Sequence, residues 1–159
     1  FTEPEDPTTF PPAVELPKWT MVYSNDRYTL TDYGKDATDA LFAKSKIIKR
    51  VCRNCGVDSP ANLIYYKRIS DVPSNWSIYD NIINTWASAD NVLGTDFEMY
   101  GSLTDLINGT NAWKYCNYDS EGIGGFRDCG PESKLEWKWN SKTAGGSKMT
   151  NYFVLTGAL

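Results

Sequence analysis

The 159-residue chain contains no histidine. It therefore lacks the commonest general base, the commonest transition-metal ligand and the usual switch near neutral pH, and serine or cysteine triads of the histidine type are excluded. No apolar run approaches the roughly 20 residues that a membrane-spanning helix requires. Basic charge is scarce as well: 16 Lys and Arg face 20 Asp and Glu, for a net charge of -4, which argues against a nucleic acid or an anionic membrane as the main partner. Repeats, heptads and low-complexity tracts are also missing. The fragment Gly122-Ile123-Gly124-Gly125 matches neither a phosphate loop nor a dinucleotide fingerprint and reads as a flexible turn.

What is present is aromatic. Six Trp, ten Tyr and six Phe favour strands and supply flat faces for packing or stacking. Hydrophobic residues make up 41% and charged residues 23%, enough apolar material for one folded domain of this length. Residues 3 to 17 hold five of the eight prolines, so residues 1–18 read as an extended arm and residues 19–159 as a single body.

Within the body, short aromatic and β-branched runs predict strands at 19–24 and 28–33, joined through the turn pair Asn25-Asp26. Further strands are expected at 46–52, 62–69, 96–100, 112–118 and 151–156, and the alternation of Leu135, Trp137 and Trp139 with Glu136 and Lys138 marks another. Asp36 is expected to cap a short helix through Phe42. Ser77, with Asp80 three residues on and Ile78, Ile82 and Trp86 at four-residue intervals, predicts a second. The expected fold is mainly β, an antiparallel sandwich or jelly-roll-like body with one or two short helices and an N-terminal arm. An α+β sheet is the alternative.

Three features point outside the cell. Four cysteines, an even number, suit a disulfide framework. Asn75-Trp76-Ser77 and Asn108-Gly109-Thr110 are acceptor sequons for N-glycosylation. The first residue, Phe1, is what removal of a leader is expected to leave, so a secreted chain is expected. Pairing Cys116 with Cys129 leaves Cys52 to join Cys55 and is preferred to either crossed pattern. A redox Cys52-Cys55 pair would need the start of a helix, whereas a strand precedes it. A four-thiolate zinc site lacks ribbon spacing.

Asn117, Asp119, Glu121 and Asp128, with Gly122 among them, echo the alternating oxygen ligands of a calcium loop. Asn stands in the first position, Asp in the last, and no flanking helices are expected, so an acidic turn held by a disulfide and by Arg127 competes with that reading. No cofactor is required; calcium is the candidate.

Catalysis without histidine would fall to carboxylate pairs such as Asp96 with Glu98, or Glu136 between tryptophans, as in glycoside hydrolysis. An acidic chain offers many such pairs, and a non-catalytic role is expected. The leading expectation is a structural, self-assembling extracellular subunit whose arm joins copies of itself or other extracellular proteins. The alternative is a lectin-like carbohydrate-binding module, assisted by calcium, that stacks glycans on Trp113, Tyr115, Trp137 or Trp139.

Overall fold

In the computed structural model the described residues are 17–56, 58–118, 126, 129–135, 140–143, 145–146 and 149–159. The arm residues 1–16 and the alternating stretch 136–139 lie outside them.

Six strands form one antiparallel sheet: β1 (Trp19–Ser24), β2 (Thr31–Asp32), β3 (Ile47–Cys52), β4 (Leu63–Arg68), β5 (Phe97–Tyr100) and β10 (Thr150–Leu155). Their order is β2-β1-β10-β3-β4-β5, so the C-terminal strand is inserted between β1 and β3. Two small ribbons complete the strands among the described residues: β6 (Tyr115–Cys116) with β7 (Cys129–Gly130), and β8 (Asn140–Ser141) with β9 (Gly145–Gly146). The helices are α1 (Gly34–Ser45), α2 (Leu103–Asn108), a 3₁₀ turn at Pro60–Asn62 and a π-helical segment at Tyr79–Asn84.

Side-chain alternation divides the sheet into two faces. The inner face carries Ile48, Ile64, Tyr66, Phe97, Met99, Tyr152 and Val154 against Phe42 of α1 and against Trp76, Ile78, Ile82, Ile83 and Trp86. The outer face carries Ile47, Tyr65, Tyr100 and Leu155, with Leu103 and Leu106 of α2 beside β4 and β5. The register of β1 against β10 shifts between Met21 and Tyr23, and this bulge lets the adjacent Val22 and Tyr23 both reach the inner core.

The sheet-rich, antiparallel body with short helices is as the sequence predicts. Among the described residues no second large sheet packs on the first; its inner layer is helical, closer to the α+β alternative than to two stacked sheets. The cause lies in residues 76–86, whose apolar positions cover the inner face. Ser77 caps that segment as expected, its Oγ accepting from the Asp80 N–H at 3.1 Å. The turn is wider than an α-helix, with the Thr85 N–H donating to the Asp80 carbonyl, and this brings Ile82 and Ile83 into the core together.

Helix α1 starts three residues earlier than expected, with Tyr33 rather than Asp36 at its cap, and runs three further. Its first N–H, of Gly34, is met by Asp32 Oδ1 at 2.9 Å rather than by Asp36. It ends on Lys46 in the left-handed region, φ 61°. Both disulfides follow the preferred pattern, Cys52 to Cys55 and Cys116 to Cys129. Cys52 closes strand β3, and both Cys52 and Cys55 are buried, which leaves no accessible thiolate for redox exchange.

Candidate functional site

The loop between β1 and β2 is fixed from below by polar contacts. Asp26 has no solvent exposure, accepts from the Tyr28 N–H at 3.1 Å and pairs with Arg53. Ser24 Oγ donates to Asn151 Oδ1 at 2.6 Å, which also accepts from Thr29 Oγ1 at 3.1 Å. Asn25 Oδ1 accepts from both the N–H and the hydroxyl of Thr150, each at 2.9 Å.

The Tyr28 N–H, then Arg53, hold the Asp26 carboxyl below the usual range against the opposing effect of burial. A depressed carboxyl pKa contributes stability above its unfolded value, and that contribution disappears as pH falls through the lower folded value. The loop should therefore lose protection below about pH 4, the reference range of an unfolded Asp. Asp26→Asn should flatten this acid limb in amide exchange measured between pH 2 and 6; an unchanged limb would refute the assignment.

This anchoring turns apolar side chains outward. Tyr28 is 66%, Leu30 74% and Tyr33 50% exposed. The Arg27 guanidinium lies 4.7 Å from the Tyr28 ring centroid and Nη2 donates to its hydroxyl at 2.5 Å. One ring face is thereby backed by a cation while the ring remains largely open to solvent.

Beside the loop opens a cavity of about 430 Å³ lined by Tyr23, Ser24, Asn25, Leu30, Thr31, Asp32 and Lys142. Lys142 Nζ donates to Asp32 Oδ2 and to Tyr79 Oη, both at 2.7 Å, and Tyr79 Oη donates to Asp32 Oδ1 at 2.8 Å. Three distant segments position this triad: β2 for Asp32, the π-helical segment for Tyr79, and the turn after β8 for Lys142, whose N–H donates to the Ile83 carbonyl at 2.8 Å. The Asp32 and Tyr79 contacts raise the Lys142 pKa. Burial alone would raise that of Asp32, but Lys142, Tyr79 and the Gly34 N–H together hold it low. Burial, reinforced by Asp32, pushes Tyr79 up. At neutral pH the ammonium and the carboxylate are therefore both charged and the phenol is neutral. An amine held protonated is no nucleophile, and a carboxyl held low is a poor acid or base at pH 7. The triad is suited to holding a ligand. Lys142 keeps one N–H and Asp32 Oδ2 one lone pair beyond their mutual contacts.

Two other cavities of about 420 Å³ lie at Leu41, Lys44, Ser45, Leu155, Thr156 and Gly157, and along Ser59, Pro60 and residues 131–135. Neither is lined by both partners of an ion pair among the described residues.

The residues singled out from the sequence are dispersed. Trp113 is only 6% exposed, packed in the core, and offers no open ring face. Tyr115 is half-buried on β6 and its hydroxyl accepts from Asn117 Nδ2 at 3.0 Å. Trp137 and Trp139 lie outside the described residues, as do Glu136, Asp119, Glu121 and Asp128 of the hydrolase and calcium readings. Asn117 Oδ1 is buried without a hydrogen-bond partner, and among the described residues no group of three metal-ligating side chains converges. Asp96 serves the loop before β5, accepting from the Val92 N–H at 2.9 Å and Ser70 Oγ at 2.8 Å, while Glu98 belongs to β5. The sequon residues Asn75 and Asn108 are both exposed. No helix among the described residues is long and apolar enough to cross a membrane. Asp32, Tyr79 and Lys142 escaped sequence reasoning because nothing local relates positions so far apart, and Tyr28 was read only as the start of a strand.

No protein-family model matches the chain, and neither the curated proteins nor the solved structures include one significantly similar to it.

Proposed function

We propose that this chain is a secreted, N-glycosylated extracellular protein that binds rather than catalyses, and that it takes a saccharide at the β1–β2 loop. The observation that carries this reading is that one loop presents the guanidinium-backed, exposed Tyr28 and also supplies Asn25 and Leu30 to the lining of a cavity shared with the Lys142–Asp32 ion pair. A sugar ring presents C–H faces that stack on an aromatic and hydroxyls that both donate and accept; the remaining N–H of Lys142 and lone pair of Asp32 answer such a hydroxyl pair. The ion pair is neutral overall, which favours an uncharged sugar over an acidic one.

Two disulfides suit an oxidising, extracellular setting. The sequons fit the same picture. Asn108 ends α2, which packs on β4 and β5, and Asn75 precedes Trp76, whose ring stacks with Arg68 of β4. Glycans at these positions would sit toward the β4–β5 end of the sheet and leave the β1–β2 end uncovered.

Self-assembly as a structural subunit is the second reading, favoured by Tyr28, Leu30 and Tyr33 standing exposed beside the edge strand β2. A glycan array followed by calorimetry on the best neutral glycan separates the two. Tyr28→Ala and Lys142→Met should each weaken glycan binding by about tenfold or more, the effect of losing an anchoring contact of about 1.4 kcal/mol, with the fold retained. A wild-type protein that is retained by no glycan and forms oligomers dispersed by Leu30→Asp would replace the first reading with the second.

A further inference from the structure

Among the described residues, the outer face of the sheet is covered by helix only at one end. Helix α2 packs on β4 and β5, whereas over β1, β10 and β3 the residues Trp19, Met21, Phe153, Lys49 and Val51 are each half-buried with no described element across them. Their centre is a cation. Lys49 Nζ lies 4.2 Å from the ring centroid of Trp19 and 5.2 Å from that of Phe153, and Trp19 in turn meets Tyr65 at 5.7 Å. Burial lowers the Lys49 pKa, and no carboxylate among the described residues pairs with it. A half-buried ammonium held only by aromatic rings leaves an electrostatic demand unmet.

The chain itself carries the complement. Of its 20 acidic residues, four (Glu3, Glu5, Asp6 and Glu15) fall within residues 1–16, which contain no Lys or Arg. The remaining 143 residues hold 16 acidic against 16 basic side chains, so the net charge of -4 resides in this segment. Its last residue is two positions before Lys18, and Trp19, the next residue, already belongs to the aromatic cluster. Sixteen residues span up to about 50 Å when extended, against about 10 Å across three neighbouring strands. Four prolines, which lose little conformational freedom on binding, and Phe1 and Phe10 suit a flat aromatic surface.

We infer that residues 1–16 are the occupant of this face, docked on their own sheet with an arm carboxylate over Lys49. The outer face is thereby a second binding surface, distinct from the β1–β2 cavity and independent of what that cavity takes.

Zero-length carbodiimide cross-linking of the full chain at low concentration, with peptide mapping of the monomer band, tests this. Lys49 should be joined to Glu3, Glu5, Asp6 or Glu15 within one molecule. In a full-length variant carrying E3Q, E5Q, D6N and E15Q, acetylation of Lys49 should accelerate several-fold while that of the exposed Lys44 stays constant. Lys49 cross-links confined to the dimer band would overturn the docking on its own sheet. Absent cross-links together with an unchanged acetylation rate would overturn the arm as occupant.

Discussion

Replacing Trp86 by alanine should cost about 3–5 kcal/mol of folding free energy, the range for truncating a buried aromatic, and lower the melting temperature by about 10 °C or more. Trp86 is 2% exposed and joins several elements at once. Its ring meets Phe97 of β5 edge-on at 5.7 Å, stacks on Tyr118 at 5.6 Å with planes 5° apart, and touches Phe126 at 6.0 Å. Phe97 stacks in turn on Tyr66 of β4 at 4.6 Å. Tyr66 and Tyr118 both reach Asn91 through their hydroxyls, and burial pushes the phenol of the half-buried Tyr118 up to about 12. A cavity at Trp86 therefore unsupports the sheet and the loops above it together. The indole nitrogen adds a control, since Nε1 is buried without a hydrogen-bond partner. Trp86→Phe deletes that orphan donor along with part of the volume, so it should cost far less than Trp86→Ala. Urea denaturation of both variants decides the matter. A loss below about 1 kcal/mol for Trp86→Ala would mean that the site collapses and that these ring contacts carry little.

The same tryptophan shows what the sequence makes legible. Its spacing from Ile78 and Ile82 placed it on a buried face, because helical period and burial are local properties. Strands β3, β4 and β10 were equally legible from β-branched and aromatic runs, and the disulfides from short loops. The Ser102-x-x-Asp105 cap and Gly109 at φ 66° mark α2 just as clearly, but six residues are too few for a periodic signal. The insertion of β10 between β1 and β3 left no local trace, since strand order depends on pairing across the chain's full length. The Lys142–Asp32 contact, 110 residues apart, was hidden for the same reason. Trp113 was a candidate for glycan stacking, whereas its backbone N–H donates to Met99 of β5 at 2.8 Å and its ring is packed in the core.

The two disulfides should be unequal in stability and unequal in the opposite sense in function. Cys116–Cys129 spans 13 positions and Cys52–Cys55 only 3, so the chain-entropy model assigns about 3 kcal/mol to the first and about 2 kcal/mol to the second. Removing the first as C116A/C129A should therefore lower the denaturation midpoint more than C52A/C55A does, and it also loosens the approach to Phe126, which packs on Trp86. The shorter bridge holds something else. It encloses Arg53, whose side chain pairs with Asp26 and whose N–H donates to the Met149 carbonyl at 2.9 Å. Asp26 in turn fixes the Tyr28 backbone, so freeing residues 52–55 relaxes the platform on which the proposed ligand stacks. C52A/C55A should weaken glycan binding several-fold at a temperature where the protein remains folded, and C116A/C129A should leave it nearly unchanged. Unfolding curves and calorimetric titrations on the same two variants check both halves. Equal binding losses would mean that the Cys52–Cys55 bridge does not act through Arg53 on the loop.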